Sequence, residues 1–243
     1  MTTLRIAMWS GPRNISTAMM RAFENRPDTE VWDEPFYGPY LHRTGLQHPG
    51  ADEVIADQGT EWEPIAERCI GTASGNKPVF YQKHMTMHML PDMGREWIRH
   101  LTNCFLIRDP ARVAASYSAV RENPTLEDLG FVQQAEMFDY VIKVTGTLPM
   151  VIDSKDFLDN PEAMLQVMCS RFGIPYRTDM ISWPSGQRES DGIWGKHWYD
   201  AVWKSTGFAP ANEKPLSLSA ELEAISRQAL PYYEMMYQHR ITV

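Results

Sequence analysis

Residues 4–23 constrain the fold more than any other stretch, because they combine a buried strand, a tight polar loop and a helix. Residues 4–9 (LRIAMW) are a short apolar run suited to a buried strand. Gly11 and Pro12 predict a turn, and residues 18–23 (AMMRAF) have the apolar spacing of an amphipathic helix. Since the first N–H groups of a helix are unpaired and its dipole adds partial positive charge there, this geometry suits an anion.

The loop between this strand and helix carries side chains that suit phosphate or sulfate oxygens. Arg13 offers a planar fork of donors, and Ser16 and Thr17 offer hydroxyl groups. A nucleoside triphosphatase would show Gly-x-x-x-x-Gly-Lys-Ser/Thr, whereas this loop is shorter and has no lysine. The alternative for the loop alone is a strand-to-helix turn whose Arg13 pairs with a carboxylate. The candidate anion-binding residues are Gly11, Pro12, Arg13, Asn14, Ile15, Ser16 and Thr17.

The order of these residues resembles the 5′-phosphosulfate loop of the sulfotransferases, Pro-Lys/Arg-Ser-Gly-Ser/Thr-Thr. Asn14 stands where that pattern has Ser, and Ile15 stands where it has Gly. Because a β-branched side chain is strained at positive φ, the resemblance requires Ile15 to stay in the αR or β region.

Size and composition indicate one globular domain. The chain has 243 residues, 43% of them hydrophobic and 22% charged, which is enough for a full core in a single domain spanning residues 1–243. The net charge of −8 argues against general nucleic-acid binding, which needs a basic face. Three cysteines without metal-ligand spacing favour a reducing, cytoplasmic compartment. The N-terminal apolar run is too short for a signal peptide, and no stretch has membrane-spanning length, so no membrane partner is expected.

Apolar runs alternate with helix-like segments along the chain. Strands are expected at residues 4–9, 30–33, 79–83, 103–107 and 150–153. Helices are expected at residues 18–23, 62–70, 111–117, 126–144, near 156, at 161–172 and at 219–237. This alternation predicts an α/β fold, a P-loop-type parallel sheet of about five strands with helices on both faces. Residues 40–59 are interpreted as a surface excursion with little regular structure, and residues 181–208 as an aromatic-rich loop.

Charged residues stand at the ends of two predicted strands, where ligands bind in open parallel sheets. Asp33 and Glu34 close the second strand, and Lys83 and His84 close the third. The alternative is that one acid caps a helix or pairs with the loop arginine. His84 and His88 are four residues apart, but no third ligand is evident nearby, so core or capping roles are favoured over a metal site.

Two later motifs also resemble sulfotransferase sequences. Arg108-Asp109-Pro110, followed by Ser116 in the next helix, resembles the 3′-phosphate site, in which a strand-end Arg makes a bidentate contact. The segment 188–196 resembles the loop that closes over the nucleotide, and its matching positions are Arg188, Gly192, Trp194 and Lys196. The alternatives are a strand-end salt bridge for Arg108 and a small satellite core for the aromatic segment.

Together the motifs resemble the sulfotransferases that use 3′-phosphoadenosine 5′-phosphosulfate (PAPS), from residue 4 to residue 196. The resemblance implies transfer of a sulfuryl group from PAPS to a hydroxyl or amine of a small-molecule acceptor. It implies no metal, because Arg and Lys supply the charge that Mg²⁺ provides in kinases. Some of Trp183, Trp194, Trp198 and Tyr199 are expected to border the acceptor pocket.

The resemblance also implies roles for the charged residues. Arg13 and Lys83 are expected to flank the bridging oxygen between phosphate and sulfate, where negative charge develops. Arg108 and Ser116 are expected to bind the 3′-phosphate.

Two residues fit the role of the base that takes the acceptor proton. Glu34-Pro35 resembles the Glu-Pro pattern of some sulfotransferases, whereas His84 comes one residue earlier than the Lys-Thr-His spacing of others. Glu34 is therefore favoured, with His84 second. Asp33 is less favoured than Glu34, because adjacent residues of an extended segment point to opposite faces.

Two other classes of function remain open at this level. A nucleotide or small-molecule kinase with a degenerate loop would depend on magnesium. A non-catalytic nucleotide-binding module would bind nucleotide without turnover, and the altered Asn14-Ile15 pair is compatible with it. The acceptor and the oligomeric state are not indicated by the sequence.

Overall fold

All five predicted strands are present in the computed structural model, which describes residues 3–121, 123–211 and 215–243. They are β1 (Leu4–Ser10), β2 (Thr29–Asp33), β3 (Val79–Met85), β4 (Thr102–Ile107) and β5 (Met150–Asp153). They form one parallel sheet in the order β2-β3-β1-β4-β5, so β1 lies at the centre. The predicted α/β fold with a five-stranded parallel sheet is therefore confirmed.

Helices connect these strands and flank the sheet. In the described ranges they are α1 (Ser16–Glu24), α2 (Tyr37–Thr44), α3 (Ala51–Gln58), α4 (Glu63–Cys69), α5 (Pro110–Ser118), α6 (Phe131–Thr145), α7 (Ser154–Asp159), α8 (Pro161–Phe172), α9 (Gly195–Trp198), α10 (Asp200–Lys204) and α11 (Ala220–Tyr237). Short 3₁₀ turns lie at Ser74–Asn76, Thr86–His88, Glu96–His100 and Thr178–Met180. None of the helices in the described part of the chain is long and apolar enough to cross a membrane.

The central strand β1 separates the two main layers of the core. Ala7 and Trp9 pack into the cluster that contains side chains of α6 and α11, whereas Ile6 and Met8 pack into the cluster that contains side chains of α1 and α8. All four side chains are fully buried. A parallel strand covered by helices on both faces is apolar at successive positions, which explains the uninterrupted run at residues 6–9.

Helix α5 begins where the sequence predicts. The Asp109 carboxylate caps the helix by accepting a hydrogen bond from the Arg112 N–H at 2.9 Å, and Pro110 occupies the first helical position. As a result, Arg108 lies at the junction between the end of β4 and the start of α5.

The prediction of little regular structure for residues 40–59 is wrong, because α2 and α3 occupy most of this stretch. Its glycines are helix boundaries rather than signs of an irregular loop. Gly45, with φ of 67°, ends α2, and Gly50, with φ of 75°, precedes α3. Pro39 lies in the first turn of α2, where the missing N–H costs no helical hydrogen bond.

Two other boundaries differ from the prediction. Helix α6 begins at Phe131 rather than at residue 126, because Gly130 takes a left-handed conformation with φ of 72° just before it. The stretch 181–208, predicted as a loop, contains the short helices α9 and α10.

A third apolar cluster joins α2 and α3 to the late segment that carries α9 and α10. Its fully buried members include Tyr37, Leu41, Val54, Trp194 and Tyr199. The late segment is therefore packed beside α2. This packing brings residues that are more than 150 positions apart in the sequence to the same edge of the sheet.

Gly192→Ala is expected to destabilise the protein. A Cβ at Gly192 would lie 2.1 Å from the ring of Trp194, which is buried and packs edge-on against Tyr37 at 5.3 Å. We expect the free energy of unfolding in urea to fall by about 1–3 kcal/mol because of this overpacking. The exposed Glu189→Ala serves as the control and is expected to change it by less than about 0.5 kcal/mol. Equal effects of the two variants would contradict the packing described here.

Candidate active site

A cavity of about 440 Å³ lies at the carboxyl ends of the strands. Its lining includes the loop after β1 (residues 12–18), Glu34 after β2, Lys83 near the end of β3, and Arg108 after β4. This is the edge at which open parallel sheets bind ligands, and the volume is in the range of small-molecule sites.

The loop after β1 avoids the strain that Ile15 would bring. Ile15 has φ of −86° and ψ of 19°, and the left-handed residue is Arg13, with φ of 56°. No described side chain caps α1, so its first N–H groups lack a side-chain acceptor, and Ser16, Thr17 and Ala18 at its start line the cavity. Of the predicted loop residues, Pro12, Arg13, Asn14, Ile15, Ser16 and Thr17 line the cavity. Gly11 does not; a Cβ there would lie 3.3 Å from the backbone oxygen of Leu129.

Asn14 fastens this loop to the sheet. Its Nδ2 donates to the carbonyl oxygen of Leu106 at 2.9 Å, and its Oδ1 accepts from the Ile15 N–H at 2.9 Å. The Leu106 oxygen also accepts from Gln134 Nε2 at 2.9 Å. Asn14, which stands where the sulfotransferase loop pattern has Ser, therefore holds the loop in place.

Two arginines meet at one side of the cavity. Arg13 Nε donates to Ser116 Oγ at 3.1 Å, and Arg108 Nη1 donates to the carbonyl oxygen of Arg13 at 2.5 Å. Neither guanidinium forms an ion pair with any residue that the structure describes, so the alternative of an Arg13–carboxylate turn does not hold for those residues. Burial, and next to it the charge of Arg13, lowers the pKa of Arg108. A bound anion would relieve this repulsion.

The Lys83 ammonium is held by three oxygens. Lys83 Nζ donates to Asp33 Oδ1 at 2.9 Å, to Glu34 Oε1 at 2.5 Å and to Tyr199 Oη at 2.6 Å. These bonds use all three ammonium protons. Tyr199 Oη in turn donates to Asp33 Oδ2 at 2.7 Å and accepts from Trp194 Nε1 at 3.1 Å. We call Asp33, Glu34, Lys83 and Tyr199 the Lys83 cluster.

The charges of the Lys83 cluster depend on one another. Burial favours a neutral amine at Lys83, but the carboxylates of Asp33 and Glu34 outweigh burial and raise the pKa of Lys83. Burial raises the pKa of Asp33 against the attraction of Lys83. Burial and the same two carboxylates raise the pKa of Tyr199 well above its ordinary value, so its hydroxyl stays protonated.

Glu34 presents one carboxylate oxygen to the cavity. Its Oε1 is held by Lys83, whereas its Oε2 makes no hydrogen bond to any residue in the described ranges. Glu34 is left-handed, with φ of 40°. This turn lets the carboxylates of both Asp33 and Glu34 bind Lys83, although adjacent residues of an extended strand would point to opposite faces. Of the two, only Glu34 lines the cavity, so it stays ahead of Asp33 as the candidate base.

His84 does not reach the cavity. It is 2% exposed, stacks on Trp9 with ring centroids 4.4 Å apart, and lies 3.1 Å from Gln82 Oε1. Burial lowers the pKa of His84 to about 3. Because successive strand residues point to opposite faces, Lys83 on the cavity side places His84 in the core. This placement removes His84 as a candidate base, which corrects the second choice made from the sequence.

The segment that resembles the nucleotide-closing loop lies elsewhere. Arg188, Gly192, Trp194 and Lys196 do not line the cavity. Arg188 lies 3.6 Å from Glu24, Trp194 packs in the third cluster, and Lys196 pairs with Glu53 on the surface. Asp191 fixes this segment against α1 by accepting two hydrogen bonds from Arg21, at 2.6 and 2.7 Å. These four residues, predicted as cofactor contacts, therefore lie outside the lining of the cavity in this structure.

Another part of the cavity lining comes from the residues that follow this segment. Trp198 and Tyr199 line the cavity as predicted for the aromatic segment, whereas Trp183 and Trp194 are core residues. The lining residues that sequence reasoning did not assign to the site include Tyr37, His48 and Tyr117, and also His88, for which it favoured a core or capping role. Nothing in the local sequence of His48 marks it, since it reaches the cavity through the packing of α2 and α3.

Two solved structures of sulfotransferases share this fold. The chain is similar to the sulfotransferase domain from the Synechococcus PCC 7002 olefin synthase (TM-score 0.55, 16% identity, covering 94% of this chain and 95% of that one). It is also similar to a sulfotransferase from Alicyclobacillus acidocaldarius (TM-score 0.54, 11% identity, covering 99% of this chain and 98% of that one). These similarities concern the fold.

The sequence places the chain in a family. The profile of the sulfotransferase domain matches residues 4–240, so this chain belongs to the sulfotransferase-domain family. It is also 32% and 30% identical, over 234 residues, to branched-chain-amino-acid aminotransferase-like proteins 1 and 2 of Arabidopsis thaliana. The match covers 96% of this chain but only 42% and 41% of those proteins, so the chain spans less than half of their length.

Lys83→Met is expected to destabilise the protein strongly. It would leave the buried carboxylate of Asp33 without its ion pair, which costs about 3–5 kcal/mol of unfolding free energy. Adding Asp33→Asn should recover part of this loss. Because burial raises the pKa of Asp33, protonation relieves the unpaired charge, and the loss should be smaller at pH 5 than at pH 8. Urea denaturation of the single and double variants at both pH values measures the loss of unfolding free energy. A loss that is the same at both pH values and is not reduced by Asp33→Asn would contradict the ion pair between Lys83 and Asp33.

Proposed function

We propose that this chain transfers a sulfuryl group from PAPS to a hydroxyl or amine of a small-molecule acceptor. The observation that carries the proposal is the cavity itself, in which a carboxylate, a buried ammonium, two arginines and the start of a helix face one space. Membership of the sulfotransferase-domain family supports the reaction class. PAPS supplies the activated sulfuryl group when it is bound.

The residues at one side of the cavity fit a nucleotide that carries two separate anionic groups, a 5′-phosphosulfate and a 3′-phosphate. The uncapped start of α1 and the guanidinium of Arg13 suit the 5′-phosphosulfate. Arg108 and Ser116 also line the cavity, and Arg13 contacts both of them. They are suited to the 3′-phosphate because a guanidinium beside a hydroxyl offers several donors to one anion.

The base in this proposal is Glu34. The bond that forms joins the acceptor atom to sulfur, and the bond that breaks joins sulfur to the bridging phosphate oxygen. Glu34 Oε2 takes the acceptor proton, since Oε1 is already held by Lys83. The electron pair of the broken bond stays on the phosphate oxygen as negative charge.

Lys83 and Arg13 stabilise this negative charge on the leaving phosphate. All three protons of Lys83 are already used, so Lys83 reaches a ligand only by exchanging a partner. Tyr199 is the partner whose loss costs least, because it is the neutral member of the cluster. The cluster thus keeps the ammonium charged and pointed at the cavity edge before a ligand arrives.

Arg108→Ala is expected to abolish a preference for adenosine 3′,5′-bisphosphate over ADP. A charged hydrogen bond is worth about 1.5–3 kcal/mol, so the affinity ratio should fall by roughly ten- to a hundredfold. Calorimetry with both nucleotides measures it. Arg177→Ala, which removes an exposed arginine paired with Asp179, serves as the control. Equal discrimination by Arg108→Ala and the wild type would show that the 3′-phosphate binds elsewhere.

Glu34→Gln should abolish most turnover while nucleotide binding stays intact. The amide keeps the shape and can still accept from Lys83 through its oxygen, but it takes no proton. We expect kcat, measured as nucleotide product released from PAPS, to fall by about 10²–10⁴-fold. Glu67→Gln, an exposed site on α4, is the matched control. A Glu34→Gln variant with the wild-type rate would assign the base to another group.

A further inference from the structure

Tyr37 packs between aromatic rings at the wall of the cavity. Tyr37 is the first residue of α2, lines the cavity and is 3% exposed. Its ring lies parallel to that of His88, with centroids 4.7 Å apart, and edge-on to that of Trp194 at 5.3 Å. Glu34 is close enough for its charge to act on Tyr37.

The direction of the hydrogen bonds around Tyr37 follows from Arg121. Arg121 Nη1 lies 3.2 Å from His48 Nε2, and a guanidinium only donates, so Nε2 is an acceptor. The ring proton of His48 is therefore on Nδ1. His48 Nδ1 lies 2.8 Å from Tyr37 Oη, so the imidazole donates to the tyrosine oxygen. Burial and the charge of Arg121 lower the pKa of His48, which keeps the ring neutral.

The tyrosine oxygen accepts this hydrogen bond, so its own proton is free to donate elsewhere. Among the residues that the structure describes, the His48 ring is the one hydrogen-bond partner of the Tyr37 hydroxyl, and it is the donor. The Tyr37 proton therefore has no acceptor among the described residues. Burial, with the nearby charge of Glu34, raises the pKa of Tyr37, so this proton is retained. Tyr37 is thus an O–H donor without an acceptor, on the wall that also carries Glu34.

We infer that Tyr37 donates to the attacking atom of the acceptor and selects a hydroxyl over an amine. This inference rests on the proposed function. A hydroxyl oxygen has one proton for Glu34 and two lone pairs, one to attack sulfur and one to accept from Tyr37. A neutral amine has a single lone pair, and a hydrogen bond from Tyr37 would occupy the pair needed for attack. The acceptor class is therefore an alcohol or phenol.

The step balances for a hydroxyl acceptor. The O–S bond forms from the acceptor oxygen, the S–O bond to the bridging phosphate oxygen breaks, and that oxygen keeps the electron pair. The acceptor proton goes to Glu34. The proton of Tyr37 is not transferred, because Tyr37 only orients the oxygen.

The test uses acceptor pairs that differ only in the attacking atom. Turnover of PAPS is measured with 4-methylphenol and 4-methylaniline, which are both neutral at pH 7, and with water alone as the smallest hydroxyl acceptor. The variants are Tyr37→Phe and, as the matched control on the same helix, Tyr40→Phe, whose residue does not line the cavity. Binding of adenosine 3′,5′-bisphosphate by calorimetry checks that each variant is folded and binds nucleotide.

We expect the wild type to prefer the phenol over the aniline by about a hundredfold or more. Tyr37→Phe should lower kcat/KM for the phenol by about tenfold. If the protein accepts neither the phenol nor the aniline, the rate of PAPS hydrolysis should fall by about tenfold instead. The ratio of kcat/KM for the phenol to kcat/KM for the aniline should fall by a similar factor in Tyr37→Phe. Tyr40→Phe should leave both the rate with the phenol and this ratio unchanged.

Other results would overturn the inference. A wild type that prefers the aniline, or a Tyr37→Phe variant with unchanged rate and selectivity, overturns it while the proposed function stands. A raised KM for PAPS with an unchanged acceptor preference would place Tyr37 against the donor instead. Nucleotide binding without turnover of either acceptor and without hydrolysis would overturn the proposed function and this inference with it.

Discussion

The contact on which the site depends is the ammonium of Lys83 between the carboxylates of Asp33 and Glu34. A buried carboxylate is stable only with a partner, and these carboxylates stand at the end of β2 beside β3. Lys83 neutralises one charge of the pair and thereby fixes the end of β2, the turn at Glu34 and the start of α2. Tyr199 extends the same contact to the late segment, so the end of β2, strand β3 and the late segment meet at one nitrogen.

The part of the site formed by the loop after β1 depends on the backbone rather than on an ion pair. The left-handed Arg13 and the hydrogen bond from Asn14 to Leu106 shape the loop after β1, and no side chain caps α1. The loop thus leaves N–H groups for an anion, and the nearby Arg13 and Arg108 add charge. The overall charge of −8 is compatible with this local concentration of positive charge, because Glu34 is the one acidic side chain among the described residues that line the cavity.

The strands and the charged strand ends could be predicted because they depend on local pattern. Apolar runs gave the five strands, and their parallel order then brought Glu34, Lys83 and Arg108 together. Positions that depend on backbone angles or on distant packing could not be predicted. The positive φ of Glu34 changed which way two adjacent acids point, and His84 was misplaced because its neighbour Lys83 takes the cavity side. The segment 188–196 resembled a nucleotide loop, but the Arg21–Asp191 pair holds it away from the cavity.

The most direct measurement of the central claim follows the sulfur atom. The protein is incubated with PAPS labelled with sulfur-35 and a phenol acceptor, in the presence of a chelator, and the products are separated. Transfer by Glu34, Lys83 and Arg13 predicts a labelled sulfate ester and adenosine 3′,5′-bisphosphate in equal amounts, with the rate unchanged by the chelator. Bound nucleotide with no labelled product, or a reaction that requires added magnesium, would contradict it.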